Sequence, residues 1–458
     1  MKSDKKQTIK LWLQRFVILL LGLVLIYGVG RFIDVSLGSF YSGERAPYLQ
    51  MLGANQVTIQ WQSKAAGNGV VWYGIDYQHL GNSVTELESN TIHKVQLSNL
   101  EPATRYYYSV GTRDKIFKGG TQNYWFETAP KTAVANNVRF WVLGDPGDWN
   151  KGIIKVRDSM SKWLNKNKRS KLPDLDFIIT TGDNAYTSGS NKQFQKAVFE
   201  PFEKSLQNYS FWPAYGNHDA RRWAFFEIFS FPTKAELGGV ASNSEHYFSF
   251  DYGQVHMVFL DVIETSLDKN GKMLNWLRAD LLKTKQKWLI TVFHYPPYTK
   301  GSHDSDDSGD SSGRLITVRE NIVPVLEKYG VDLVLTGHSH MYERSGLINC
   351  HYGDSSSLQA NMVLDKNLGG YKKPYIKTAK NSSGTVYVVL GSSSKVDKGP
   401  LNHPANIVNM AQLGSMIIDV NETRLDAKFI NDKAQVVDNF SIVKDITFKR
   451  NLTFPCVK

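Results

Sequence analysis

Seven side chains with oxygen or nitrogen donors, Asp145, Asp183, Tyr186, Asn217, His294, His338 and His340, fall in five short segments reading VLGDPG, ITTGDNAY, WPAYGNHD, TVFHYPP and VLTGHSHMYER. Taken one at a time each has an ordinary explanation: a Gly-Asp pair makes a turn, a tyrosine packs in a core, a lone histidine satisfies a hydrogen bond. Together they describe a site for hard or borderline cations, because none of the segments offers a thiolate.

Such donors must be held in register, and the sequence supplies the means. Short, nearly continuous apolar runs precede them: Val138 to Leu143, Phe177 to Thr180, Trp288 to Phe293 and Leu333 to Thr336, with similar runs at His256 to Leu260 and Val386 to Leu390. Runs of this kind are the strands of a sheet covered on both faces. A strand fixes the backbone while the following loop aims the side chain, so donors at strand ends are placed with little freedom. Helical patterns lie between some of them, with Ile153, Val156, Met160 and Trp163 on one face behind a cap at Asp148 or Asn150, and Ile322, Val325, Leu326 and Tyr329 on another. The alternating segments between 415 and 443 are expected to complete a second sheet.

Residues 46–130 follow a different grammar. Val57, Ile59 and Trp61 alternate with Thr58, Gln60 and Gln62, and runs at Val70 to Tyr73, His93 to Leu97, Thr104 to Val110 and Tyr124 to Thr128 are divided by Gly, Asn and Pro turns. This is the spacing of a small β-sandwich. Leu100-x-Pro102-x-Thr104-x-Tyr106 resembles the strand entry of fibronectin type III domains, in which a tyrosine ties down a corner.

The chain has 458 residues, so two or three compact units are expected. Its net charge of +11 favours anionic partners, but no dense Lys/Arg block with interleaved aromatics appears, and nucleic acid is not expected as a partner. Lys2, Lys5, Lys6, Lys10 and Arg15 precede the uncharged stretch Phe16 to Gly30, which reads as a signal peptide or an uncleaved signal anchor over 1–30. The remainder is then expected outside the cytoplasm: secreted, periplasmic or attached to a membrane. Two cysteines, Cys350 and Cys456, exclude a disulfide-stapled scaffold and leave their own pairing open. The segment Asp304 to Ser312, DSDDSGDSS, is expected to be a mobile polar loop with solvated carboxylates, since Gly and Glu are missing from the positions a calcium loop requires.

The order and spacing of the five segments resemble the blocks D-x-G, G-D-x-x-Y, G-N-H-D/E, a single His and G-H-x-H of purple acid phosphatases within the calcineurin-like phosphoesterase superfamily. The larger members also carry a fibronectin-like domain ahead of the catalytic one. The resemblance implies an all-β sandwich at 46–130 and, over 137–458, an α/β four-layer β-sandwich metallophosphoesterase domain flanked by helices. It implies two ions, one held by Asp145, Asp183, Tyr186 and His340, the other by Asp183, Asn217, His294 and His338, with Asp183 shared. A tyrosine ligand in place of the histidine that the wider superfamily has at Gly147 implies Fe(III) in the first position; the second would take Zn, Mn or Fe(II). The activity implied is hydrolysis of small phosphate monoesters by a metal-held hydroxide, with His218 on the phosphate and His303 near the leaving group. Asp219, Tyr342, Glu343 and Arg344 would support the ligands, and Asp261 would support loops. A phosphodiesterase or nucleotide hydrolase on the same site is the near alternative, and a non-catalytic extracellular binding protein the distant one. An exonuclease of the same superfamily is disfavoured by Gly147 and Tyr186. Nothing in the sequence sets an oligomeric state.

Overall fold

The computed structural model describes residues 2–131, 137–452 and 456. A helix spans Lys2–Ser39, and within it the stretch Lys10–Gly30 is long and apolar enough to cross a membrane, with none of that window covered by the rest of the protein. The apolar stretch is longer than Phe16 to Gly30 because Leu11, Trp12 and Leu13 extend it past the single charge of Arg15.

Six strands follow: β1 (Arg45–Gln50), β2 (Val57–Gly74), β3 (Asn82–Leu97), β4 (Arg105–Thr112), β5 (Lys115–Gly119) and β6 (Trp125–Glu127). The runs at Val57 and Val70, expected as separate strands, are two halves of β2. Its polar middle, Ser63 to Gly69, does not turn; it stays paired to β3 through two register shifts, and there β2 exchanges β1 for β4 as its second neighbour. The corner expected at Tyr106 is present: its hydroxyl accepts the Glu101 N–H at 3.0 Å.

The catalytic region holds two sheets. In the first, β7 (Val138–Leu143), β8 (Phe177–Thr180) and β9 (Ser210–Pro213) run parallel. In the second, β10 (Phe248–Tyr252) pairs antiparallel to β11 (Val255–Phe259). From there β12 (Trp288–Val292), β13 (Leu333–Thr336) and, after the short strands β14 (Tyr342–Ser345), β15 (Leu347–Ile348), β16 (Val363–Asp365) and β17 (Tyr375–Lys377), β18 (Val386–Leu390) all run parallel with β11. β14 and β19 (Asn406–Met410) close that sheet. The last long strands, β20 (Gly414–Val420), β21 (Arg424–Asn431) and β22 (Val436–Lys444), add antiparallel to β7 and so extend the sheet begun by the first strand of the region.

Alternate side chains of the second sheet serve two cores. Met257, Phe259, Ile290, Val292, Leu333, Leu335, Val386 and Val388 meet the first sheet, whereas Val258, Leu289, Val334 and Tyr387 pack under the helices Lys272–Lys283 and Val323–Lys328. On the outer side of the first sheet lies the helix Lys151–Lys166, which is capped by Asn150 accepting the N–H of Gly152 and Ile153 and buries Ile153, Val156, Met160 and Trp163. Burial on both faces is why these strands lack polar alternation. The architecture is the expected helix-flanked β-sandwich, with one addition. β1 pairs in parallel with β9, Leu49 opposite Ser210, so a single sheet of 13 strands runs through both regions. Arg45 secures that junction, its buried guanidinium bonding Asn191 at 2.5 Å and Gln195 at 3.0 Å while lying 4.0 Å over the Phe199 ring.

Cys350, just past β15, and Cys456 form a disulfide across 106 positions of sequence, their Cα atoms 5.3 Å apart. It fastens a tail that Arg450 also holds, donating to the carbonyls of Leu281 and Thr284. Replacing both cysteines by serine should cost about 4 kcal/mol of stability, the loop-closure entropy returned to the unfolded chain. Urea unfolding of the oxidised wild type and the double variant would measure it, and coincident curves would show that the bond adds nothing.

Candidate metal centre

The parallel strands of both sheets end at one edge of the sandwich, and their loops meet there. Asp145 follows β7, Asp183 and Tyr186 follow β8, Asn217 and His218 follow β9, His294 follows β12, and His338 and His340 follow β13. Asp145, Asp183 and His338 adopt left-handed backbone conformations, with φ of 51°, 51° and 68°. A residue with a Cβ is held in that region at a cost of about 1–3 kcal/mol. Here the restraints are visible: the His338 N–H reaches both carboxylate oxygens of Asp145 at 3.0 Å, the Ser394 hydroxyl donates to the Asp145 carbonyl at 2.5 Å, and the His218 N–H donates to Asp183 Oδ1 at 2.8 Å.

Donor atoms of Asp145, Asp183 and His294 all lie within 4.8 Å of one another. His294 Nε2 is 3.4 Å from Asp183 Oδ1 and 2.9 Å from Asn217 Oδ1, and Tyr186 Oη is 2.9 Å from His340 Nε2. The rings of His294 and His338 are 5.1 Å apart, centroid to centroid. All seven residues singled out in the sequence are thus joined in one pocket by contacts among themselves. His218 presents its Nε2 3.8 Å from Asp183 Oδ2 and an edge to the Tyr186 ring, while His303 stacks on His338 with centroids 3.7 Å apart.

Each imidazole has one nitrogen spoken for, which decides which nitrogen is left to bind a cation. His294 Nδ1 donates to the Thr181 carbonyl at 2.9 Å, leaving Nε2; His340 Nδ1 meets Asp397 at 2.5 Å, again leaving Nε2; His338 Nε2 meets the Ser311 hydroxyl at 2.8 Å, leaving Nδ1. Exposure separates two roles. The side chains of His294, His338 and His340 are 0%, 6% and 9% exposed, but those of His218 and His303 are 24% and 31% exposed and line the open side.

Two buried carboxylates share this pocket, and among the described residues no lysine or arginine stands within ion-pair distance of either. Burial, with the charge of Asp183 adding to it, pushes the Asp145 carboxyl well above its usual range. Asp183 is pushed up by burial too, but attraction to His294 and His218 outweighs this and holds it low. Desolvation pulls His294 down, yet the two carboxylates raise it to about 9. Burial, then Asp183 and Asp145, keep the Tyr186 phenol far above its ordinary value. The protein alone therefore keeps a proton on Tyr186 and uses His294 as a makeshift cation. Metal ions fit the pocket: they would supply the missing positive charge and displace both protons.

Gly147 belongs to the same construction. Its N–H donates to the Asp183 carbonyl, its carbonyl accepts the Tyr186 N–H, and a Cβ there would come within 2.5 Å of the Asp183 carbonyl oxygen. Any side chain at that position would clash with this backbone, which leaves glycine as the residue that fits beside Asp183 and Tyr186.

A family model for calcineurin-like phosphoesterases matches residues 138–342, and one for the purple acid phosphatase N-terminal domain matches residues 46–128. The chain is a calcineurin-like phosphoesterase of the purple acid phosphatase type. Probable purple acid phosphatase 20 of Arabidopsis thaliana is 24% identical over 321 residues, which cover 65% of this chain and 68% of the relative. Acid phosphatase type 7 of Danio rerio is 25% identical over 438 residues, covering 85% and 89%. A purple acid phosphatase from yellow lupin (Lupinus luteus) seeds shares the fold with a TM-score of 0.68 at 20% identity, over 90% of this chain and 78% of its own. The family is one of dinuclear metal enzymes, which agrees with the donor set found here.

The remaining expectations are placed as follows. Asp219 accepts the Gly216 and Asn184 N–H groups and braces two of the purple acid phosphatase loops. Asp261 accepts from His246 and from the N–H groups of Ile263, Glu264 and Thr265. Glu343 supports the loop after His294 through Thr299 and the Lys300 N–H, whereas Tyr342 and Arg344 turn away from the site to hold Asp438 of β22. The loop Asp304 to Ser312 is not a free solvated segment. Asp306 pairs with Lys300 and with the buried Arg319, and Asp310 with His303, so these carboxylates are held by cations and an imidazole rather than by water. Asp310 and Ser311 are legible in the sequence only as members of a polar loop, and Lys395 and Asp397 carry no signal of a role at the site. Lys395, whose ammonium lies 4.5 Å from the Tyr186 ring centre, and Asp397 sit in the loop after β18, a sixth strand-end loop whose apolar run was legible.

Because His294 must lose its proton to bind an ion, affinity of the metal-free protein for Zn should rise with pH from 6 to 8, by about tenfold per unit for that proton alone. Calorimetric titrations in buffers of different ionisation enthalpy would count that proton; a pH-independent affinity would remove His294 from the ligand set.

Proposed function

We propose that this purple acid phosphatase-type chain is a phosphomonoesterase that hydrolyses small, exposed phosphate esters. The observation that carries the reading is the meeting of Asp145, Asp183 and His294 at the common edge of two sheets, in a pocket with too little positive charge of its own. Asp145, Asp183, Tyr186 and His340 would hold one ion, and Asp183, Asn217, His294 and His338 the other. Two such ions supply Lewis acidity, neutralising charge on the phosphate oxygens and acidifying a water.

The chain's own groups do the rest. His218 and His303, the two half-buried imidazoles, flank the ligand set and in their protonated forms would donate to oxygens of a bound phosphate. His218 Nδ1 is held by the Thr187 carbonyl at 2.7 Å, so its Nε2 is the atom turned to the pocket. Lys395 adds positive charge at the rim, close enough to act on Asp145.

Fe(III) in the first position and Zn, Mn or Fe(II) in the second suit these donors. A phenol whose deprotonation is opposed by burial and by two carboxylates is ionised only by a strongly acidic ion. The N-terminal helix and the Cys350–Cys456 bond favour an extracytoplasmic location, the helix serving as export signal or anchor.

Metal-loaded protein should turn over p-nitrophenyl phosphate faster than bis-p-nitrophenyl phosphate; a strong preference for the diester would overturn the monoesterase reading. The iron-loaded protein should show a broad visible absorption band that Tyr186→Phe abolishes. A colourless, iron-free preparation with full activity would remove Fe(III) from the assignment.

A further inference from the structure

The loop from His303 to Ser312 supplies no ligand to the centre described above, yet it is tied to it. His303 Nδ1 lies 3.0 and 3.1 Å from the two oxygens of Asp310. The Ser311 hydroxyl lies 2.8 Å from Asp310 Oδ1 and 2.8 Å from His338 Nε2. An ionised carboxylate can only accept, so both His303 Nδ1–H and the Ser311 O–H donate to Asp310. The serine oxygen is then left to accept the proton of His338 Nε2. One carboxylate therefore orders two imidazoles: His303 directly, and His338 through a hydroxyl.

The arrangement is held against local strain. Ser311 and Ser312 both take left-handed backbone conformations, φ 47° and 57°, which a relaxed surface loop would avoid. The loop has supports of its own besides Asp310: Asp306 pairs with Arg319 and Lys300 and accepts the Ser355 N–H, and the Ser305 N–H donates to the Thr299 carbonyl. Asp310 also accepts the Asp304 N–H at 2.9 Å, so replacing it touches one bond of the loop itself as well as its contacts to His303 and Ser311, while these other supports remain.

We propose that Asp310 is a positioning residue: through Ser311 it turns the Nδ1 of His338 to the metal centre, and directly it anchors His303 on the His338 ring as a wall of the phosphate site. The proposal rests on the phosphomonoesterase reading for its substrate but concerns an arrangement of residues that can be tested without turnover.

The full-length, metal-loaded protein would be compared with Asp310→Asn, Ser311→Ala and Ser311→Thr. Metal retention would be read in chelator competition, and phosphate affinity in displacement by inorganic phosphate. Ser311→Ala should weaken the more labile ion about 10- to 100-fold, and Ser311→Thr, which keeps the hydroxyl, should restore it. Asp310→Asn should weaken the ion likewise and, at saturating metal, should also weaken inorganic phosphate about tenfold, as expected when the group holding a contact residue is lost. Wild-type metal retention and phosphate affinity in Asp310→Asn would overturn the proposal. So would a third equivalent of metal that binds the wild type and is lost in that variant, since Asp310 would then be a ligand. A wild type without phosphatase turnover, but with both affinities responding as described, would support the positioning role and remove only the enzymatic one.

Discussion

Two carboxylates, Asp145 and Asp183, are buried together beside His294, their donor atoms within 4.8 Å of one another. Removing an ionised carboxylate from water costs several kcal/mol, and low dielectric makes the repulsion of two such charges severe. A protein selected for stability alone would pair them with arginine or fill the space with apolar groups. This chain does neither, and much of the architecture can be understood as the means of keeping an unfavourable pair in place until cations arrive. The left-handed residues at 145, 183 and 338, the close approach of Gly147 to the Asp183 carbonyl and the N–H groups of His218 and His338 aimed at carboxylate oxygens all serve that one end.

The sandwich makes this affordable because its parallel strands end together. Each donor loop leaves a strand whose neighbours are hydrogen-bonded on both sides and whose faces are packed against the other sheet or a helix. Strain at one strand end is resisted by the sheet as a whole. The loop after β18 closes the arrangement, with the Ser393 N–H donating to the Gly144 carbonyl and Ser394 to the Asp145 carbonyl, so the second sheet holds Asp145 of the opposite one.

Around the ligands, partners divide the imidazoles by role. Asp397, Thr181 and Ser311 each occupy one nitrogen of a deeply buried ring, while His218 and His303 are partly exposed and line the open side. The N-terminal β-region meets the catalytic sheet at β1 and β9, the strand whose following loop carries Asn217 and His218. It is thereby part of what stiffens the site, through Arg45 and the pairing of Leu49 with Ser210.

By itself the sequence determined the apolar runs that became β7, β8, β12, β13 and β18, the donors that follow four of them, and the tyrosine corner at Tyr106, because these depend on neighbours only a few positions away. Residue type alone also made the site one for oxygen- and nitrogen-loving ions. Tertiary structure decided what depends on distant partners. It joined Ser63 to Gly69 into one long strand and carried β20 to β22 back to β7. It drew Asp310 and Ser311 from an apparently solvated acidic stretch down to His338, and it brought Asp397 from 57 positions away to fix the free nitrogen of His340. An acidic loop looks the same in sequence whether it faces water or an imidazole; only the surface beneath it tells the two apart, and that surface exists only once the sheets have met.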